Sequence, residues 1–263
     1  MIFYFPKPNF IPIAISTCKL NCKHCMGKYL KQMKTIDEGE KLIKFAKNYN
    51  GIGFLISGGF DKEGRLIGLK EMLPTLKKLK NRFYIAVHPG FVDDELSKEI
   101  ANVCHVAFID LPSENAIKNV FGLNASTEDY FNNMDKLLNA GVKAVPHITI
   151  GLNFGKVEEY DVLDELKKYK NEIEKLVLNI VVPTTKTPFE KVKIDKGEVL
   201  EFIGYAKDNF KVSIGCMRPR SLDIDLIDMG INEMATPSKK AIEYAESKFK
   251  RIEIRNYCCG LIL

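Results

Sequence analysis

A chain of 263 residues, 46% apolar and 28% charged, has the balance of a soluble globular protein and the length for one large or two small domains. Its formal net charge of +5 comes from lysines spread through helix-forming stretches such as Lys77-Lys78-Leu79-Lys80, with no basic stripe interleaved with aromatics, so nucleic acid is not an expected partner. No apolar run approaches the roughly 20 residues that span a bilayer, and Met1-Ile2-Phe3-Tyr4-Phe5-Pro6 lacks a basic n-region and a cleavage site; a cytoplasmic protein away from membranes is expected.

Short β-rich runs alternate with helical stretches along the chain, the pattern of βα units around a parallel sheet. Strands are expected near 10–16, 52–57, 83–88, 105–110, 143–150, 176–182, 211–215 and 251–257. Helices are expected near 36–49, 66–81, 92–102, 126–140, 157–171, 196–210, 222–229 and 238–250. Leu163, Leu166 and Tyr169 show the three-to-four spacing of a helix face packed on a sheet. This is the complement of an α/β protein built as a closed (β/α)8 barrel of the TIM type; a partial (β/α)6 barrel with a C-terminal extension is the alternative. No linker rich in Pro, Gly or Ser divides the chain, so residues 1–263 are read as one domain. Active sites of such barrels lie at the C-terminal ends of the strands.

The first expected strand runs into Thr17-Cys18-Lys19-Leu20-Asn21-Cys22-Lys23-His24-Cys25, three thiols within eight residues. A cubane [4Fe-4S] cluster held by three thiolates keeps one iron open for a substrate or cofactor. Two other readings compete. A structural zinc site usually pairs two short knuckles far apart in sequence, and His24 is wedged between ligands it could hardly join tetrahedrally. A thioredoxin-like pair of Cys22 and Cys25 leaves Cys18 without a role, and no helix opens at Cys22. Seven cysteines, an odd number in short spacings, argue for reduced thiols and against a disulfide framework.

The spacing Cys-x3-Cys-x2-Cys, with His24 before the last cysteine, resembles the signature of the radical S-adenosylmethionine (SAM) superfamily. The resemblance implies that Cys18, Cys22 and Cys25 hold a [4Fe-4S] cluster whose open iron is chelated by SAM. Reduction of that cluster then splits SAM into methionine and a 5′-deoxyadenosyl radical, which takes hydrogen from substrate. His24 would stand beside the cofactor.

The second expected strand ends in Ser57-Gly58-Gly59-Phe60, which resembles the family's glycine-rich turn around the SAM amino group. Phe60 stands where many members carry an acid, so backbone carbonyls or Ser57 would supply that contact. His88 closes the third strand and Asp110 the fourth, both assigned to catalysis, with a ribose contact or a helix cap as the other roles for Asp110. The fifth strand, Val145-Pro146-His147-Ile148-Thr149-Ile150-Gly151, resembles the family's adenine-packing motif, with Ile150 and Gly151 at the matching positions. His147, alternating with Thr149, faces the barrel interior, where packing alone would account for it. Val182, at the end of the sixth strand, would by the same resemblance be a further adenine contact.

Cys216, in Ile214-Gly215-Cys216-Met217-Arg218-Pro219, closes the seventh strand and Cys258-Cys259 the eighth; adjacent strands would bring them together as ligands of a second [4Fe-4S] cluster. Arg218 is assigned to the active site, and Arg218, Arg220, Ser221, substrate or nothing would complete that cluster. Free cysteines packed as small hydrophobes are the alternative, and Cys104 is read that way. These segments resemble archaeal and bacterial homologues of biotin synthase, including two-protein lipoyl synthases. The resemblance implies sulfur insertion into an unactivated C–H bond, a low-potential electron donor such as ferredoxin, a lipoyl-domain or carrier-protein substrate and a second radical SAM protein. The alternatives are rearrangement or methylation in cofactor biosynthesis and, outside catalysis, an iron-sulfur scaffold or metal-binding module.

Overall fold

In the computed structural model, which describes residues 1–263, the β-branched and aromatic runs form eleven short strands. They are β1 (Ile2–Tyr4), β2 (Phe10–Ala14), β3 (Lys34–Thr35), β4 (Gly53–Ser57), β5 (Tyr84–Val87), β6 (Val106–Asp110), β7 (Ala144–Ile150), β8 (Leu176–Ile180), β9 (Val212–Ile214), β10 (Glu233–Ala235) and β11 (Glu253–Arg255). The helices are α1 (Gly39–Lys47), α2 (Leu69–Leu79), α3 (Asp94–Val103), α4 (Glu114–Ala116), α5 (Thr127–Asn139), α6 (Tyr160–Leu166), α7 (Lys196–Asn209), α8 (Asp223–Asp228) and α9 (Lys239–Lys248). Side chains that favour N-caps start several of them: Asp93 accepts from Leu96 N at 2.7 Å, and Ser126 and Asp129 form a capping box.

Every strand pairing is parallel, in the order β11-β1-β10-β9-β8-β7-β6-β5-β4-β2-β3. The expected α/β barrel is therefore present, but it is not a closed (β/α)8 barrel: β3 and β11 are free edges, and the partial barrel describes the sheet. The N-terminal strand is the reason. β1 inserts between β10 and β11, so the strand expected as the eighth is separated from the seventh by two others and never meets β2. β1, β3 and β10 span two or three residues each, too short for an alternating pattern to show in sequence.

Alternation sorts the strand residues. Ile13, Ile56, Ile85, Ile109, Ile148, Ile150 and Ile214 pack outward with the helices. Tyr4, Phe10, Val106, Phe108, Val145, Val177 and Ala235 meet in a separate cluster inside the curled sheet, joined there by Cys259 and Leu261. The tail after β11 thus turns into the barrel. Tyr84 Oη donates to the Ile262 carbonyl at 3.0 Å, and Gly260 lies so close to Phe108 that a Cβ would come within 2.8 Å of its ring.

Beneath this tail lies a buried ion pair. Lys175 Nζ donates to Glu233 Oε2 (3.0 Å) and to the Cys259 carbonyl (3.1 Å), and Tyr4 Oη donates to the same carboxylate (2.8 Å). Lys175 therefore ties β8, β10 and the tail together at the barrel floor.

Candidate active site

The β2 strand delivers the cysteine loop to the C-terminal end of the sheet. Lys19 N and Leu20 N both donate to the Phe60 carbonyl (2.9 and 3.0 Å), and Lys23 N donates to that of Val120 (2.9 Å), so neighbouring loops grip the segment through its backbone. Asn21 (φ 56°) and Met26 (φ 48°) adopt left-handed conformations that wind it back on itself. Gly59 must be glycine for this approach: a Cβ there would lie about 2 Å from the Thr17–Cys18 peptide.

Cys18, Cys22 and Cys25 open onto a cavity of about 430 Å3 that also exposes His24, Ser57, Gly58, His88, Asp110, Cys216, Cys258 and Cys259. Burial, with repulsion from its neighbours, pushes the Cys22 thiol up, and burial pushes that of Cys25 up to about 11. Burial thus works against the thiolate forms of Cys22 and Cys25, and a polynuclear cation would supply the missing positive charge. No group of His, Cys, Asp or Glu converges on one point where a single metal ion would sit. Three free thiols on one loop are the donor set that a cubane takes. His24 stands among Tyr29, Phe121 and Phe189, with Nδ1 buried and unpartnered, and burial lowers its imidazole to about 4.

Across the cavity, His88 Nε2 lies 3.1 Å from Asp110 Oδ2, and Ser57 Oγ lies 3.5 Å from His88 Nδ1. Burial works against both charges, but the pair interaction prevails: His88 is raised and Asp110 lowered from their ordinary values.

Cys216 and the Cys258-Cys259 pair share the cavity, though not by the expected route. Cys258 and Cys259 are carried in by the inward tail, because β10 and β1 lie between β9 and β11. Cys258 is lowered by the hydrogen bond from Cys259, whose own thiol is raised by the same bond and by burial. Ser213, fully buried on β9, lies within reach of the Cys259 thiol and works against the rise of that thiol. Cys104 is buried in the core at the end of α3, as expected.

Other expected site residues stand elsewhere. Arg218 is buried away from the cavity: Nε donates to Asp223 Oδ1 (2.7 Å) and Nη1 to the carbonyls of Gly215 (2.6 Å) and Ala235 (2.8 Å). It ties the loop after β9 to β10, with Nη2 buried and unpartnered. Ile150 faces the helices and not the cavity. Gly151 (φ 74°) packs against Ile194, and Val182 is half-buried outside the cavity wall. His147, Thr149 and Asn179 do line the cavity; the inward alternation of β7 and β8 is the sequence signal that marks them.

Glu159 organises the turn after β7. Fully buried, it accepts hydrogen bonds from Gly151 N (3.0 Å) and Leu152 N (3.2 Å) on Oε1 and from Glu158 N (3.1 Å) on Oε2. Burial pushes its carboxyl up to about 7, against those three donors. Glu159→Ala strands the three N–H groups and is expected to cost about 3 kcal/mol in urea unfolding, whereas Glu159→Gln keeps the Oε1 acceptor, loses only the acceptor for Glu158 N and costs about 1 kcal/mol. Because the folded carboxyl titrates above its ordinary value, this residue's contribution to stability falls as pH rises from 4.5 towards 7, and Glu159→Gln flattens that slope.

No protein-family model and no curated protein sequence matches the chain. Solved structures do. Methylornithine synthase (PylB) superposes with a TM-score of 0.58 at 13% identity, over 88% of this chain and 73% of that one. Streptococcus suis SuiB bound to S-adenosylmethionine gives 0.55 at 12% identity, over 94% of this chain and 50% of SuiB, so this chain spans half of that protein's length. The anSMEcpe structure with bound AdoMet gives 0.53 at 15% identity, over 88% and 67%. The shared property is the fold.

Proposed function

We propose that this protein is a radical SAM enzyme that reductively cleaves SAM at a [4Fe-4S] cluster on Cys18, Cys22 and Cys25. The observation that carries the reading is the placement of those thiols, on one loop at the C-terminal end of β2, facing a single deep cavity in a fold that holds SAM in two solved structures. When bound, cluster and SAM would supply a 5′-deoxyadenosyl radical able to take hydrogen from an unactivated carbon. The chain's own residues set the surroundings. The aromatic ring around His24 and the apolar barrel interior keep water from the reacting centre. Ser57 and Gly58 place a hydroxyl and open backbone beside the triad.

The finer reading is sulfur insertion of the lipoyl-synthase kind, with a second [4Fe-4S] cluster on Cys216, Cys258 and Cys259 as the sulfur source. Three further thiols in the same cavity support it. A low-potential donor such as ferredoxin, a lipoyl-domain or carrier-protein substrate and a second radical SAM protein belong to this reading.

Anaerobic reconstitution tests both levels. About eight irons per chain are expected, falling to about four in Cys216→Ala/Cys258→Ala/Cys259→Ala; unchanged iron in that variant sinks the second cluster. Reduced protein with SAM is expected to form 5′-deoxyadenosine. None from the fully reconstituted protein would leave an iron-sulfur scaffold. Thiolation of octanoyl-lysine peptides is the substrate test, and SAM cleavage without it would favour rearrangement or methylation.

A further inference from the structure

In the folded chain the lysines are not spread evenly. Residues 17–36, around the cysteine loop, contain five lysines and no acid. The segments 151–157 and 183–194, which follow β7 and β8 at the same end of the sheet, add four lysines and one acid, Glu190. Together they carry a net +8 in a chain whose total is +5, so the remaining residues sum to −3. None of the nine lysines lies within ion-pair distance of a carboxylate, and all but Lys28 are exposed. Like charges gathered without counter-ions repel one another, a cost that a partner of opposite charge would remove.

The three segments meet. Lys28 Nζ donates to the Lys186 carbonyl (2.8 Å), Tyr29 Oη lies 3.0 Å from Thr184 Oγ1, and Lys23 Nζ stands 5.8 Å from the centre of the Phe154 ring. Glu158, beside this turn, is taken up by Ser113, Asn115 and Asn153. Phe154 is 41% exposed and Met26, next to Cys25, 42%, so large apolar side chains stand among the lysines. Apolar side chains bordered by charge are the make-up of a protein docking surface. Phe154 also begins a line of ring contacts. It stacks on Phe189 at 4.7 Å, and Phe189 meets His24 edge-on at 6.2 Å, which joins the surface to the cysteine loop.

We propose that this lysine-rich face is the docking site of the electron donor, a small acidic protein that carries a low-potential one-electron centre. This rests on the reading of Cys18, Cys22 and Cys25 as a cluster site: SAM would occupy the cavity side, which leaves the outer face of the loop for the donor. The donor gives up one electron and a [4Fe-4S]2+ cluster takes it to become [4Fe-4S]+; no bond forms or breaks. Redox encounters of this kind bury little area and are steered by charge.

The test uses cluster-reconstituted protein and an acidic [2Fe-2S] ferredoxin, whose reduced signal in electron paramagnetic resonance is distinct from that of a [4Fe-4S]+ cluster. Anaerobic calorimetry with the oxidised ferredoxin reads docking, and freeze-quenched spectra after mixing with the reduced form read the electron. Binding is expected at about 0.02 M salt and should weaken at least about tenfold at about 0.3 M. Lys23→Glu/Lys156→Glu/Lys186→Glu should weaken it at least about tenfold and slow cluster reduction by a similar factor. Lys77→Glu/Lys78→Glu/Lys240→Glu, the same change in net charge on exposed positions of α2 and α9, should move neither by more than about twofold. Absence of binding at low salt, no dependence on salt, or equal losses in the two variants would overturn the proposal. So would tighter binding of a single-stranded RNA oligomer, lost in the first variant, which would make the partner a nucleic acid. The salt dependence needs no variant to fold, and docking needs neither SAM nor turnover, so a failure to form 5′-deoxyadenosine would count against the enzyme reading alone.

Discussion

Replacing Cys18, Cys22 or Cys25 by alanine, one at a time, is expected to abolish the proposed 5′-deoxyadenosine formation, a loss of more than about a thousandfold, because ligands of one cluster would act as a unit. Chromatographic detection of the nucleoside after reduction checks it. The fold is expected to survive, since the loop is held by backbone bonds to Phe60 and Val120 that use no sulfur. Only Cys22 is well buried, and trimming its side chain leaves a small cavity costing about 1 kcal/mol. Retained circular dichroism with lost iron and lost nucleoside is the expected combination. Nucleoside formation near the wild-type rate in any of the three would remove the cluster from this loop.

Lys175→Met produces a large loss of stability. The ammonium and the Glu233 carboxylate are 6% and 4% exposed, and removing Lys175 leaves that buried carboxylate with Tyr4 and with Lys211, 3.0 Å from Oε1, at a cost of about 3 kcal/mol. For a chain of this size that is a fall in Tm of about 10 °C, read by calorimetry on anaerobic protein. Burial alone would raise Glu233, but Lys175 and the donors around it outweigh burial and hold the carboxyl below its ordinary value of 4.5. A depressed carboxyl contributes stability above its unfolded pKa and loses it as pH falls through the folded one. Wild-type stability therefore drops on acidification below about pH 4.5, and the drop is smaller in Lys175→Met, where that depression is relieved. The same substitution frees the Cys259 carbonyl and loosens the tail that carries Cys258 and Cys259.

The parts of the site that were legible lie close together in the chain. Cys18, Cys22 and Cys25 announce themselves by spacing, and β2 places them on the active face whatever the barrel's closure. His88 and Asp110 were readable as strand-end residues, and the structure joins them at 3.1 Å. Arg218 folds back onto Asp223, which the sequence does not show, because a strand-end arginine looks the same whether it reaches the cavity or turns away; only the position of the next loop separates the two. His147 was placed on the inner face by alternation, yet the orientation of its ring depends on a bond to the Val145 carbonyl.

By itself, the amino-acid sequence determined the βα rhythm, the helix positions to within a few residues and the cysteine loop, because each rests on short-range periodicity, capping and spacing. Tertiary structure alone decided how the barrel ends. The residues of β1 enter between β10 and β11, the sheet stays open, and residues 257–262 turn inward to fill it. No local pattern encodes that choice. It follows from apolar side chains of the tail finding cover inside a sheet whose edges do not meet, and from Lys175 and Glu233 finding each other across 58 residues.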